Sequence, residues 1–182
     1  MFEDLREAGA ERLTKLPFDG FAVGGLGVGE AAAVGQKIAS LSASFLPSDR
    51  PRYLMGAGTP RDLLHAVRAG YDLFDCVLPT RNARNGTLFT SSGKLSIKQS
   101  CFKDDPRPID PKCPCYGCRN FSRAYLRHLF LAHEMLSATL NTLHNLSFYL
   151  RFMERIRTLI AEGRVDQMVR NWEEAENAQF GR

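Results

Sequence analysis

Three cysteines and one histidine have the types and the spacing of metal ligands. The segment C-P-C-Y-G-C contains Cys113, Cys115 and Cys118, and His144 follows after twenty-five intervening residues. Thiolate and imidazole are ligands that zinc prefers, whereas an iron–sulfur cluster more naturally takes a fourth cysteine. Four protein ligands leave no open position for water or substrate, so the pattern predicts one structural Zn²⁺ ion. The alternative is a set of free thiols in a reducing compartment.

The composition of the chain limits its possible class and compartment less sharply. Of its 182 residues 44% are hydrophobic, which is typical of a folded globular protein, and a net charge of +4 neither requires nor opposes a polyanionic partner. Five cysteines, three of them in one cluster, argue against a disulfide framework. No apolar run reaches about 18 residues, and no signal-peptide core is present. The sequence therefore predicts a cytoplasmic protein without a membrane segment.

Segments that could form strands alternate with segments that could form helices along the first half of the chain. The predicted strands are 21–26, 52–55 and 73–78, and the predicted helices are 2–16, 30–45 and 60–69. Thr59 is the expected N-cap of the third helix, and Pro60 occupies its first position. This alternation is typical of parallel βαβ units, and the apolar strands favour a sheet with both faces covered.

The second half of the chain has a different pattern. Residues 80–86, T-R-N-A-R-N-G, form a predicted loop that could hold phosphates and read bases, or could be a solvated charged turn. The segments T-L-F-T and L-S-I-K, at 87–90 and 95–98, predict an antiparallel hairpin, and the proline-rich stretch 103–112 predicts a further loop. The predicted helices are 121–140, 144–161 and 165–178.

Asp75 is the residue that could do covalent chemistry. It lies in F-D-C-V-L-P, an otherwise apolar strand, and an unpaired charge in such a place is costly unless it has a role. In α/β barrels, active sites lie at the C-terminal ends of the strands. At such ends residues 24–26 offer bare backbone groups to a planar ligand, and Met55 offers a polarizable side chain beside the bare backbone of Gly56. The alternative is a structural aspartate that caps a turn or pairs with Arg81.

Four segments, taken in order and spacing, resemble one known family. They are F-D-G-F-A-V-G-G-L-G-V-G-E, R-Y-L-M-G-A-G-T-P, F-D-C-V-L-P-T-R-N-A-R-N-G and the C-x-C-x2-C-x25-H cluster. Over residues 2–165 the chain resembles the C-terminal half of bacterial tRNA-guanine transglycosylase. The resemblance implies an α/β fold, the C-terminal part of a (β/α)8 TIM-like barrel with a zinc-binding subdomain and C-terminal helices. It implies a partial barrel of three βα units and a hairpin at 1–100, the zinc subdomain at 101–150 and terminal helices at 151–182.

The resemblance also implies an activity. Members of the family are glycosyltransferases (pentosyltransferases) of queuosine biosynthesis, which exchange guanine at the tRNA wobble position for a 7-deazaguanine base. By this match Asp75 is the nucleophile that forms a covalent aspartyl-tRNA intermediate. The implied base-contacting residues are Gly25, Leu26, Glu30 and Met55. The implied tRNA-contacting residues are Gly56, Ala57, Gly58, Thr59, Pro60, Arg61, Asp62, Thr80, Arg81, Asn82, Ala83 and Arg84. The implied zinc ligands are Cys113, Cys115, Cys118 and His144. The implied partners are the tRNA anticodon loop, the 7-deazaguanine base and a second copy of the chain.

The chain departs from the family in its length. Family members are much longer, and no D-S-G-G-F-Q-like segment, which would carry the second catalytic aspartate, occurs here. Three strands cannot close an eight-stranded barrel, so we expect open sheet edges, an uncovered inner face and little or no transferase activity of the chain alone. Two interpretations stay open. One is an enzyme whose N-terminal half comes from another chain or a longer reading frame, and the other is a non-catalytic, zinc-dependent tRNA-binding or dimerisation module.

Overall fold

The computed structural model of the chain describes residues 2–180, and of residues 175–180 it describes the backbone only. Contacts within the chain divide it into two compact units. The first, which we name the sheet unit, consists of Met1–Cys76 and Ile156–Arg182. The second, which we name the cysteine unit, is Val77–Arg155. The three-part division expected from the sequence remains a prediction.

The sheet unit contains a three-stranded parallel sheet and four helices. In chain order its elements are α1 (Glu3–Leu13), β1 (Phe21–Val23), α2 (Ala32–Ser44), β2 (Arg52–Leu54), α3 (Pro60–Arg68), β3 (Leu73–Phe74) and, after the cysteine unit, α8 (Val165–Phe180). The strands lie in the order β1-β2-β3, and both pairs are parallel. The predicted βαβ pattern is therefore confirmed.

The two faces of this sheet differ in burial. On one face Val23 and Leu54 are buried in a core with Ala39, Ala43 and Ala66 of the helices. On the other face a different row of residues lies in register: Ala22 beside Tyr53, and Tyr53 beside Leu73. Leu73 is 54% exposed, and Ala22 is exposed as well. The sheet is thus packed on one face only, against the expectation from apolar strands and in agreement with an uncovered inner face.

Helix α3 begins as the sequence predicts. The Thr59 hydroxyl accepts a hydrogen bond from the Asp62 N–H at 3.1 Å, and the Asp62 carboxylate accepts one from the Thr59 N–H at 3.3 Å. This capping box satisfies two N–H groups that have no partner within the helix, and Pro60, in the first turn, has no N–H to satisfy. The helix ends before Gly70, whose positive φ of 97° favours glycine.

The cysteine unit contains a hairpin and mostly short helices. Its elements are α4 (Leu78–Arg84), β4 (Thr87–Thr90), β5 (Gly93–Ser96), a 3₁₀ helix (Ser100–Phe102), α5 (Tyr116–Asn120), α6 (Arg123–Leu131) and α7 (Met135–Ala161), whose last six residues belong to the sheet unit. The predicted hairpin is confirmed, because β4 and β5 pair in antiparallel register. Its core includes Leu88, Ile97, Ile109, Leu126 and Leu140.

Several predicted boundaries were wrong, beginning with the first strand, which ends at Val23 and not at residue 26. The third strand ends at Phe74, and residues 80–84 are not a loop but part of α4, because Pro79 occupies the first turn of a helix, where no backbone N–H is required. The break between two predicted helices, expected at residues 141–143, lies instead at 132–134, between α6 and α7, where His133 has a φ of 58°. His144 is consequently an interior residue of α7. No helix within residues 2–180 is long and apolar enough to cross a membrane.

A candidate metal centre and a strand-end carboxylate

The structure brings the four predicted metal ligands together. The ligand atoms of Cys113, Cys115, Cys118 and His144, which we name the Cys3His cluster, all lie within 4.8 Å of one another. Cys113, Cys118 and His144 are buried, and Cys115 is partly exposed. Four side chains that converge in this way can share one tetrahedral ion, and the donor set of three thiolates and one imidazole suits Zn²⁺.

Local structure explains the spacing of the three cysteines. The Cys113 N–H donates to the Asp110 carbonyl at 3.0 Å, which closes the turn that delivers the first thiol. Cys115 is the N-cap of α5, and its sulfur accepts a hydrogen bond from the Cys118 N–H at 3.4 Å. A helix N-terminus stabilises negative charge on a capping group. The C-x-C-x2-C pattern therefore places two thiolates at one turn.

His144 is oriented by the hairpin. Its Nε2 lies 2.8 Å from the carbonyl oxygen of Phe89, which can only accept, so Nε2 carries the proton. Nδ1 then faces the sulfur atoms of Cys118 at 3.3 Å and Cys115 at 3.6 Å with its lone pair. A ligating histidine commonly donates its second N–H to a carbonyl in this way, which fixes the tautomer and the ring plane. The sequence pattern alone did not identify Phe89 as this partner.

The electrostatics of the cluster also suit a cation. The hydrogen bond from the Cys118 thiol lowers the pKa of Cys115 to about 3, with a further contribution from His144, although burial acts in the opposite direction. The same pairing raises the pKa of Cys118, because a second thiolate beside the first is repelled and desolvated. A divalent cation offsets that repulsion and allows all three sulfurs to ionise. The residues present therefore fit Zn²⁺, which here would stabilise the fold.

The second candidate centre is the carboxylate of Asp75, which follows β3 directly and is exposed. Its Oδ1 accepts a hydrogen bond from the Tyr53 hydroxyl at 2.7 Å and another from the Gly56 N–H at 2.9 Å. These bonds, that of Gly56 first, hold the pKa of Asp75 below its ordinary value. Asp75 is therefore an ionised, accessible carboxylate at the C-terminal end of a parallel strand.

Tyr53 is a residue that sequence reasoning missed. Strand register pairs Tyr53 with Leu73, and side chains two residues apart on an extended chain point to the same side. Asp75 follows Leu73 by two residues, so its side chain reaches the phenol of the neighbouring strand. Only the pairing of β2 with β3 reveals this contact, although a tyrosine within a predicted strand was a usable signal.

The glycine-rich turn after β1 is held by Glu30. Its carboxylate accepts hydrogen bonds from the N–H groups of Gly27 and Val28, and the bond from Gly27 is the main reason that the pKa of Glu30 is lowered. Gly25 and Gly27 have φ values of 70° and 73°, which residues with a Cβ rarely adopt. The predicted residues Gly25 and Glu30 thus belong to one ordered turn.

Three of the predicted base-contacting residues line one pocket. Leu26, Glu30 and Met55 lie around a space of about 240 Å³ in the sheet unit, together with Gly56 and residues of α2 and α3. Gly25 and Asp75 are not among its lining residues. The Met55 side chain is 44% exposed, and its sulfur would lie 3.2 Å from a Cβ at Gly24, so the absence of a side chain there makes room for it.

The predicted tRNA-contacting residues lie in two segments. Residues 56–62 form the turn after β2 and the first turn of α3, with Gly56 and Arg61 exposed. Residues 80–84 lie in α4, where Arg81 and Arg84 are exposed and Ala83 is fully buried. Arginines three residues apart on a helix share a face, so Arg81 and Arg84 present two positive charges on the same side of α4.

Comparisons with known proteins agree with these observations. The sequence model of the family described as Queuine tRNA-ribosyltransferase matches residues 1–178. The chain is similar to the Queuine tRNA-ribosyltransferase of Solidesulfovibrio magneticus, with 60% identity over 163 residues, which are 90% of this chain and 44% of the relative. It is 54% identical over 172 residues to that of Thermodesulfovibrio yellowstonii, across 94% of this chain and 45% of the relative. It is 51% identical over 169 residues to that of Vibrio cholerae, across 93% of this chain and 45% of the relative.

These matches extend over nearly the whole chain, but the chain spans less than half the length of the curated relatives and covers only their C-terminal part. The Cys3His cluster fits the structural zinc site of the family. Sequence similarity and a metal centre in the expected place therefore lead to the same assignment. The chain belongs to the queuine tRNA-ribosyltransferase family.

Proposed function

We propose that the chain carries the nucleophile of a tRNA-guanine transglycosylase, the enzyme that exchanges guanine at the tRNA wobble position for a 7-deazaguanine base. The observation that carries the proposal is the exposed Asp75 carboxylate at the end of β3, with both of its hydrogen bonds from other residues on Oδ1. Its second oxygen receives no hydrogen bond from another of the described residues. An ionised carboxylate with one available oxygen is suited to attack on an anomeric carbon.

The reaction proceeds in two displacements at the ribose C1′. In the first, a carboxylate oxygen of Asp75 forms a bond to C1′ while the bond from C1′ to guanine N9 breaks, which leaves a covalent aspartyl-tRNA intermediate. In the second, a nitrogen of the incoming 7-deazaguanine base replaces Asp75 on C1′. Two inversions retain the configuration. A second acid/base group must move the protons, and we assign it to the part of the relatives that this chain does not cover.

We assign the exchanged base to the glycine-rich turn after β1 and to Met55; of these residues Leu26, Glu30 and Met55 line the pocket of the sheet unit, and Gly25 lies outside it. Backbone groups of Gly25 and Leu26 would contact the edge of the base, and the thioether of Met55 would pack on its plane. Glu30 would keep the turn in place through its bonds to Gly27 and Val28. These residues act on the base, whereas Asp75 acts on the sugar.

Binding of tRNA is assigned to the two segments at 56–62 and 80–84. Exposed arginines and bare backbone N–H groups are suited to phosphates and to unpaired bases. The substrate would be the anticodon loop, because a base that must leave the stack is released most easily where it is unpaired. Arg81 and Arg84, both exposed on α4, are the strongest candidates for phosphate contacts.

The bare face of the sheet supports a place in a larger barrel. The row of Ala22, Tyr53 and Leu73 lies on the same side of the sheet as Asp75 and is poorly covered. We propose that the three strands are part of a (β/α)8 barrel whose other strands are supplied by a complementing N-terminal half, and that the assembled enzyme is a homodimer. The chain alone would then bind tRNA weakly and lack transferase activity.

Guanine exchange into tRNA tests this proposal. Labelled guanine and tRNA are incubated with the purified chain, and with the chain mixed with the N-terminal part of the Solidesulfovibrio magneticus relative that it does not cover. We expect exchange and a covalent tRNA adduct only in the mixture, and neither with Asp75→Asn, which keeps tRNA binding. An adduct with Asp75→Asn, or no adduct in the wild-type mixture, would contradict the proposal.

A non-catalytic, zinc-dependent tRNA-binding or dimerisation module is the second candidate. The observation in its favour is that all four ligands of the Cys3His cluster lie within the cysteine unit, together with that unit's own core. If the chain is such a module, zinc removal will abolish tRNA binding or self-association while the mixture forms no adduct. If it is part of an enzyme, the mixture will form the adduct.

A further inference from the structure

The Asp75 carboxylate is held through one of its two oxygens. The Tyr53 hydroxyl and the Gly56 N–H donate to the same atom, Oδ1, at 2.7 Å and 2.9 Å. One donor is a side chain of β2, and the other is the backbone of the turn that follows β2. A carboxylate on its own rotates broadly about its terminal torsion. Two donors from different directions fix that rotation.

We propose that Tyr53 is a positioning residue, which commits Oδ1 of Asp75 to structure and leaves Oδ2 as the oxygen that attacks the ribose. This inference rests on the proposed function, because it assigns a role within the same displacement. Tyr53 itself does not react. It selects the attacking atom and holds the plane of the carboxylate.

Strand geometry makes tyrosine the suitable residue at position 53. Tyr53 lies opposite Leu73 in parallel register, and Asp75 is one pleat further along. A phenol is long enough to reach that carboxylate while its ring remains half-buried on the open face of the sheet. Phenylalanine would occupy the same space without donating, and a serine or threonine hydroxyl would be too short.

Electrostatics support the same reading. The pair of donors lowers the pKa of Asp75, and the neighbouring carboxylate in turn raises the pKa of Tyr53. The phenol therefore stays protonated, and the carboxylate stays ionised, throughout the neutral range. Gly56 can offer its N–H in this position because its φ of 77° is accessible to glycine.

The electron count of the step is balanced without a further reagent. A lone pair on Oδ2 forms the bond to C1′, and the pair of the breaking glycosidic bond moves to guanine N9. That nitrogen is protonated by water or by the acid/base group of the complementing half. Asp75 loses its negative charge as the ester bond forms at Oδ2. Tyr53 must therefore hold the ionised carboxylate in place before the attack without forming a hydrogen bond to Oδ2. Hydrogen bonding to Oδ1 alone meets that condition.

Tyr53→Phe tests the inference on the chain itself. The Asp75 carboxyl carbon is followed by ¹³C NMR during a pH titration of the wild type and the variant, with Glu30 as an internal control and Tyr125→Phe as a control variant. Loss of the donor removes a cause of the lowered pKa, so we expect the Asp75 pKa to rise in Tyr53→Phe and the Glu30 pKa to stay unchanged. Equal melting temperatures of wild type and variant exclude a general loss of structure.

The rate of covalent adduct formation in the complemented mixture supplies the second readout. Because Tyr53→Phe frees the Asp75 carboxylate to rotate out of the geometry of attack, we expect a loss of roughly tenfold or more in this variant. The acid limb of the pH profile should move to higher pH, as fewer carboxylates are ionised at a given low pH. Tyr125→Phe should leave both unchanged.

The outcomes separate the inference from the function on which it rests. An unchanged Asp75 pKa or an unchanged adduct rate in Tyr53→Phe, with no adduct in Asp75→Asn, overturns the role of Tyr53 and leaves the nucleophile in place. An adduct in Asp75→Asn, or none in the wild-type mixture, overturns both. A raised Asp75 pKa, together with a slower reaction whose acid limb lies at higher pH, supports both.

Discussion

The Cys3His cluster and the Asp75 centre differ in how much of their surroundings the chain supplies. Around the cluster the cysteine unit provides all four ligands, the Phe89 carbonyl that orients His144 and a closed core. Around Asp75 the sheet unit provides two hydrogen bonds and one packed face, while the face that carries Tyr53 and Leu73 is poorly covered. One centre is self-contained, and the other faces an open surface.

The difference follows from the topology of each site. A closed metal site needs one turn with closely spaced ligands and one helix that brings the last ligand, so a single subdomain can complete it. A site at the ends of parallel strands is built from several strands of a sheet, and a barrel uses eight. Three strands supply part of such a site. The cluster should therefore govern stability, and Asp75 should depend on further chain for its chemistry.

Removal of the metal is expected to have the largest effect. Structural zinc contributes roughly 10–16 kcal/mol in zinc-finger peptides, comparable to or larger than the total stability of most domains, about 5–15 kcal/mol. A chelator, or Cys118→Ser, should therefore unfold the cysteine unit, seen as loss of helical circular dichroism. The exposed Cys101 offers a control, since Cys101→Ser should behave as wild type. An unchanged spectrum after addition of the chelator would show that the Cys3His cluster does not govern the stability of the cysteine unit.

Truncation of a buried amide in α7 should have the next largest effect. Asn145 is fully buried, accepts from the Phe89 N–H at 3.0 Å and donates to the carbonyls of Pro79 and Thr87 at 2.9 Å and 3.1 Å. Asn145→Ala leaves these groups without partners, so the free energy of unfolding should fall by about 3 kcal/mol. Denaturant titration measures it, and the exposed Asn120→Ala should change stability by less than about 0.5 kcal/mol. Equal losses of stability in Asn145→Ala and Asn120→Ala would show that the hairpin does not depend on α7.

A smaller, pH-dependent effect is expected at Asp105. Asp105 is 7% exposed, and its carboxylate binds the guanidinium groups of Arg107 and Arg123. The bonds from Arg107 are the first cause of a pKa well below the usual range. A depressed pKa stabilises the folded state above the unfolded value of about 3.9, and this stability is lost as pH falls towards the folded value.

Asp105→Asn should thus be less stable than wild type at pH 6, and the difference should shrink below about pH 4. Chemical unfolding at a series of pH values measures this, with the exposed neighbour Asp104→Asn as control. A difference that persists undiminished at pH 2 would show that packing, and not charge, holds the loop.

The smallest expected effect lies in the sheet unit. Thr59→Ala removes the capping hydroxyl of α3 and should lower the free energy of unfolding by about 1 kcal/mol. Thr139→Ala, at an exposed position inside α7, should be neutral or slightly stabilising because alanine favours helix. If both variants lose the same stability, the capping box contributes nothing specific.

Local sequence signals predicted the parts of the fold that depend on near neighbours. Thr59, Pro60 and Asp62 specify a helix start by themselves, because the cap, the missing N–H and the returning carboxylate lie within four residues. The hairpin was predicted from turn residues for the same reason. Local signals misplaced the break between the last helices, since burial of Asn141 and His144 keeps α7 continuous through a polar stretch.

The sequence by itself determined the metal centre and the identity of the strand-end carboxylate, because ligand type, ligand spacing and a charged residue in an apolar segment are properties of the chain. Only the tertiary structure decided that Phe89 fixes the tautomer of His144 and that Tyr53 and Gly56 meet at one oxygen of Asp75. Those contacts join residues from 19 to 55 positions apart. Hydrogen bonds over such separations are set by strand register and helix packing, for which no short stretch of sequence carries a signal.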